Sequence, residues 1–106
     1  MHKRFIIVMV TCATPGEARK IAHSLLKKRT VACANMVGGV ESKFWWKGRL
    51  GIAKEVLLMM KTRSVNFKKI EAEVIRLHSY EVPEIIAVPI ASGSKEYLKW
   101  IENSVK

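Results

Sequence analysis

The sequence predicts a single α+β domain in split βαβ order: strand, helix, strand, strand, helix, strand, and one further helix at the end. Three observations carry that prediction. Apolar runs rich in β-branched residues at 5–10, 55–62 and 85–90 read as strands. Thr14, Ser64 and Ser94 each stand where a helix cap is needed, before a stretch whose apolar residues repeat at helical spacing. Lys47-Gly48-Arg49 reads as the turn of a long hairpin. With 106 residues and no break in composition, the chain forms one domain spanning 1–106.

Residues 5–10 are continuously apolar, which suits a central strand covered on both faces or by an oligomer contact. The helix that follows has Thr14 at the N-cap, Pro15 at its first position and Glu17 where a capping box needs its acceptor. Ala18, Ile21, Ala22, Leu25 and Leu26 lie on one face of it, and Lys27-Lys28-Arg29 puts positive charge at the negative end of the helix dipole. Residues 30–37 and 40–46 form the second strand, with Gly38-Gly39 as a bend or bulge where positive φ is cheap. Ser64 caps a second helix whose Phe67, Ile70, Val74 and Leu77 face inward while Lys68, Lys69 and Arg76 face water. Pro83 ends any helix, and Pro89, lacking an amide donor, marks the last strand as an edge or a strand terminus. Ser94 caps a short final helix carrying Tyr97, Leu98 and Ile101. The order is that of a ferredoxin-like fold with one helix added. Phe44, Trp45 and Trp46 at the far end of the hairpin either fold back onto their own core or are covered by a closed symmetric oligomer.

Composition narrows the function classes. Two cysteines, Cys12 and Cys33, are too few for a disulfide scaffold and form no Cys-x-x-Cys pair, so a reducing, cytoplasmic setting fits. The basic start and apolar run imitate a signal peptide but are read as a first strand, and no run approaches the ~18 apolar residues of a membrane span. The net charge of +10 attracts anions and repels free metal cations at long range. No P-loop glycine pattern is present, and Glu81 and Glu84 flank Pro83 without a defined carboxylate geometry, so no enzyme is expected. Nucleic-acid binding is disfavoured because the basic residues are spread over every element and no recognition motif accompanies them.

Val10-Thr11-Cys12, Val31-Ala32-Cys33-Ala34-Asn35, Trp46-Lys47-Gly48, Lys61-Thr62 and the segment Leu77-His78-Ser79-Tyr80-Glu81-Val82-Pro83-Glu84-Ile85 resemble, in order, the markers of the CutA divalent-cation-tolerance family. Tyr97-Leu98-Lys99-Trp100 resembles the family's closing helix. The resemblance implies a homotrimer of ferredoxin-like subunits related in architecture to the PII signalling proteins, and a role in tolerance of copper and other divalent cations. Its implied copper ligands are Cys12, His78 and Glu84. Ser79 departs from the family's usual Pro, Gly51-Ile52-Ala53-Lys54 from its acidic stretch, and the strong positive charge from its norm.

Thiolate, imidazole and carboxylate form a chemically sensible copper set. Read from the residues alone, a cysteine at a strand end such as Cys12 is more often a small buried residue, and His78 more often a cap on helical carbonyls. Met9, Met36, Met59 and Met60 are expected to fill the core rather than to ligate, and Cys33 to pack; His23 and His2 are surface or terminal, His2 with the amino terminus as an adventitious Cu(II) site. Two rival readings are a PII-like sensor for an anionic small ligand, using Lys3, Arg4, Lys43, Lys47, Arg49, Lys54, Lys61 and Arg63 around clefts between subunits, and a trimeric platform for a protein partner. Tyr80, Trp46 and Lys61 line such a cleft or serve as interface packing.

Overall fold

The computed structural model describes residues 4–106, so the readings of His2 and Lys3 lie outside the described residues. Strand β1 (Phe5–Cys12) leads into helix α1 (Pro15–Lys27). Strands β2 (Cys33–Trp46) and β3 (Arg49–Arg63) form the hairpin, a 3-10 turn (Ser64–Asn66) opens into α2 (Phe67–Leu77), and β4 (Ile85–Pro89) and α3 (Lys95–Ser104) complete the chain. The four strands are antiparallel in the order β2-β3-β1-β4, as the split βαβ pattern requires. Pro89 lies at the end of the edge strand β4, where its missing amide costs no ladder bond.

Local chemistry sets these elements. The Thr14 side chain accepts the Glu17 amide at 3.1 Å, and Ser94 accepts the Tyr97 amide at 3.3 Å. Glu17 returns its own bond to the Ala13 amide, one residue earlier than a standard capping box. Lys47 and Gly48 have φ of 53° and 76°, the two positive angles of a two-residue hairpin turn whose twist matches its strands. The register shifts between Val37 and Val40, and Gly39 at φ 71° supplies the bulge.

The core lies between one face of the sheet and the helices. Val8, Val10 and Cys12 of β1 and Val56, Leu58 and Met60 of β3 meet Ala18, Ile21 and Leu25 of α1 and Ile70 and Val74 of α2. Phe67 and Leu77 pack against its margin. Ile7 and Met9 of β1, Leu57 and Met59 of β3 and Ile86 and Val88 of β4 point to the other face, so it does not show the polar alternation of a solvated sheet. The hairpin runs on past this core: the molecule measures 43 × 29 × 23 Å with a radius of gyration of 14.2 Å, against about 13 Å for a compact chain of this length.

Several expectations need correction. Ser64 opens the 3-10 turn and does not cap α2; Asn66 is the N-cap residue, and its side chain points inward. There its amide donates to the carbonyl oxygens of Thr30 and Lys106 and to the Thr62 hydroxyl, which itself donates to Thr30. This buried network takes priority over the cap, because an unpartnered amide in the core costs more than an uncapped helix end. Leu26 is exposed rather than core-facing, since α1 buries only the narrower stripe through Ala18, Ile21, Ala22 and Leu25. Met36 is exposed because it lies on β2 at the margin of the helix layer, and Cys33 is half-buried, although Met60 fills the core as expected.

Candidate metal centre

The end of β1, the first turn of α1 and the residue after α2 meet at one corner of the core. Cys12, Glu17 and His78 contribute one sulfur, one oxygen and one nitrogen that all lie within 4.8 Å of one another. The His78 Nδ1 to Glu17 Oε1 distance is 3.8 Å, and the His78 side chain is shut off from solvent. Cys12 and His78, paired from the sequence only through the family resemblance, are thus brought together within one chain. Glu84 is not in this group and instead lines a neighbouring cavity. The bends at 79–82 and Pro83 carry Glu84 away, whereas Glu17 is fixed by the turn directly after Cys12. Sequence reading took Glu17 only as a cap; the signal was its place five residues after the candidate ligand.

The hydrogen bonds fix the imidazole. A carbonyl can only accept, so the 2.8 Å contact between His78 Nε2 and the Thr11 oxygen makes Nε2 the N–H donor. Nδ1 therefore carries the lone pair, and it accepts the Tyr80 amide at 3.0 Å. The capping role proposed for His78 is thus met on a strand carbonyl and not on its own helix. A ring whose remote N–H is held by a backbone carbonyl and whose other nitrogen lies 3.8 Å from a carboxylate has the second-shell arrangement of a metal-ligating histidine.

Electrostatics set the state of the other two donors. Burial, and then the Glu17 and Glu55 carboxylates, push the Cys12 thiol up to about 11, so it holds its proton at neutral pH. Burial works against charge on Glu17, but hydrogen bonds from Ser79 and the Ala13 amide outweigh it and hold the carboxyl below its usual value. The Ser79 amide reaches Glu17 at 2.8 Å, clamping the loop after α2 to the start of α1. The donor set fits a soft or borderline metal ion, provided the thiol proton and the Tyr80 amide give way.

Beside this centre, a cavity of about 910 Å³ runs between the hairpin arm and residues 79–84; Phe44, Trp46, Glu55, Tyr80, Glu81 and Glu84 are among its walls. Tyr80 donates to Glu55 at 2.6 Å, and burial, then that bond, raise its phenol well above the ordinary value. Glu55 is a site residue whose signal in the sequence is a carboxylate at the head of an apolar strand. The basic strand residues do not gather here: Arg4 pairs with Glu102, Lys61 bonds to Asn35, Lys47 lies 5.6 Å from the Trp46 ring centroid, and only Lys43 reaches the cavity. Basic residues gather instead on the helix side, where Lys28, Arg29, Lys69, Arg76 and Lys106 line a separate cavity of about 470 Å³.

Comparison with known proteins places this geometry. A family model described as CutA1 divalent ion tolerance protein matches residues 6–104. The divalent-cation tolerance protein CutA of Thermus thermophilus is 41% identical over 98 residues, covering 92% of this chain and 95% of that protein. A relative of the same name from Archaeoglobus fulgidus is 40% identical, covering 93% and 96%. The chain spans 57% of the length of the chloroplastic CutA 1 of Oryza sativa, at 38% identity over 95% of this chain. Among solved structures, the Thermus thermophilus Cut A1 protein superposes with a TM-score of 0.94 at 39% identity, covering 96% of this chain and 99% of that one. The Archaeoglobus fulgidus protein, described as periplasmic, gives 0.93 at 39% identity over the same shares.

Proposed function

The chain belongs to the CutA1 divalent ion tolerance family, and from that premise we propose that it is a non-catalytic, trimeric, cytoplasmic metal-binding protein that takes up copper, or another divalent cation, at Cys12, His78 and Glu17. The convergence of these three donors within 4.8 Å carries the reading. Bound copper would supply a Lewis-acidic, redox-active centre. The chain's part is to present it with a fixed imidazole tautomer and a carboxylate already held in its charged form. The trimer rests on the apolar second sheet face, where Ile86 and Val88 are 48% and 42% exposed, and on Trp45, Leu50 and Ile52 along the hairpin. The cytoplasmic setting rests on two cysteines left unpaired.

The test is a Cu(I) and Cu(II) titration of reduced, metal-free protein, with zinc as control. Cys12→Ser, His78→Ala and Glu17→Gln are expected to abolish or strongly weaken binding, while Glu84→Gln and removal of His2 leave it in place. Tight binding that survives loss of Cys12 and His78 overturns the site.

The helix-side cavity favours a second reading, an anionic-ligand sensor. Its five cations face one carboxylate, Glu73, which Arg76, Ser24 and Lys28 already hold. Saturable, salt-sensitive binding of ATP that is lost in Arg29→Ala and Lys69→Ala would support it; binding unchanged by both would remove it.

A further inference from the structure

Against a net charge of +10, the distribution of the few acidic groups is informative. All nine acids are glutamates. Among the described residues, four of them have a lysine or arginine within 4.0 Å, Glu41, Glu71, Glu73 and Glu102, and Glu17 faces His78 Nδ1, which carries the lone pair. Of the other four, three, Glu55, Glu81 and Glu84, line the cavity beneath the hairpin arm. In a chain with 19 lysines and arginines, these three carboxylates share the cavity lining with a single lysine, Lys43, so carboxylates outnumber cations there.

Glu55 makes the case sharper. The residue is 7% exposed, its Oε2 accepts the Tyr80 hydroxyl, and among the described residues its other oxygen has no hydrogen-bond donor. Among the described residues no fully buried side-chain oxygen lacks a partner, so that oxygen keeps some contact with solvent, and Glu55 itself lines the cavity. The three carboxylates do not converge as a metal ion's ligands must; among the described residues the convergent group of three is Cys12, Glu17 and His78. The rings of Phe44, Trp46 and Tyr80 line the same cavity. The Trp46 ring already has the Lys47 ammonium of its own chain 5.6 Å from its centroid, the range of a cation–π contact.

We propose that this cavity binds an aliphatic polyammonium ion, with the separated Glu55, Glu81 and Glu84 carboxylates pairing with its successive ammonium groups and the Phe44, Trp46 and Tyr80 rings lying along its methylene and ammonium stretches. Methylene segments suit apolar ring faces, and spaced charges suit spaced carboxylates, where a compact divalent ion would find no common centre. The site is independent of the copper reading, because Glu84 belongs to this cavity and lies outside the Cys12 group.

The test is isothermal titration of the full chain with spermidine at constant ionic strength. 1,4-Diaminobutane and its neutral counterpart 1,4-butanediol measure the part played by charge, and magnesium chloride serves as a compact-cation competitor. Spermidine should bind saturably at a fixed ratio per chain, at least tenfold more weakly in Glu81→Gln and in Glu84→Gln. Both positions are exposed, so neither variant threatens folding. Butanediol should not bind, and copper uptake should be unchanged in Glu84→Gln. Failure to saturate with a Kd below about 1 mM, displacement by magnesium at equal charge, or spermidine affinity unchanged in both variants overturns the proposal. So does a result in which both variants alter subunit dissociation in sedimentation while spermidine does not bind, since a lysine or arginine of a neighbouring copy would then fill the cavity.

Discussion

Raising the pH should strengthen copper binding steadily, well past the point at which an ordinary thiol site levels off. The Cys12 thiol titrates at about 11 against a usual 9.0, because burial and then the Glu17 and Glu55 carboxylates oppose its charge. A metal ion binds the thiolate, so uptake releases this proton. Two units at 1.36 kcal/mol each lower the affinity near neutral pH by about 2.7 kcal/mol, roughly 100-fold, relative to a solvated thiol. Apparent Cu(I) affinity should therefore rise about tenfold per pH unit from 7.5 to 10. The assay is competition with a chromophoric Cu(I) chelator, corrected for the chelator's own protonation, on the native chain and Cys12→Ser. In the metal-free protein the sign runs the other way. A folded-state value raised above the unfolded one contributes stability that is complete below pH 9 and is lost as pH rises toward 11, by up to about 2.7 kcal/mol. An affinity plateau by pH 9, or the same slope in Cys12→Ser, would show that Cys12 is not the ligand or that its thiol is not held in its protonated form.

Three further outcomes follow from the fold. Asn66→Ala should cost about 2 kcal/mol in urea denaturation at fixed protein concentration and Thr62→Val about 1. The double variant should exceed their sum, because either side chain alone still satisfies the Thr30 carbonyl and losing both orphans it. Gly48→Ala should cost about 1 kcal/mol by the same measurement, since φ of 76° is strained for any residue with a Cβ. Glu73, held well below the usual carboxylate range by Arg76, then Ser24 and Lys28, ties α1 to α2; its contribution is present above the unfolded carboxyl value and is lost as pH falls through the acid range, so Glu73→Gln should flatten the acid limb of the stability curve.

The order of elements along the chain, the two side-chain-capped helices, the hairpin turn and the Gly38-Gly39 bulge were legible because each is written by residues within a few positions of one another, and the apolar character of both sheet faces appeared as unbroken runs rather than alternation. The N-terminus of α2 was not legible, because Asn66 is claimed by Thr30, Thr62 and Lys106, none of which adjoins it in the sequence. The candidate site divides in the same way. Cys12 and His78 stood out by residue type and family pattern, but their meeting across 66 positions, the tautomer that Thr11 imposes on His78 and the presence of Glu17 in place of Glu84 come from how β1, α1 and the end of α2 pack. The gathering of Glu55, Glu81 and Glu84 likewise exists only after the 79–84 segment folds toward the hairpin arm. Local backbone preference and apolar period fix elements one at a time, whereas the distances between side chains that do chemistry are set by tertiary packing, which no short stretch of sequence encodes.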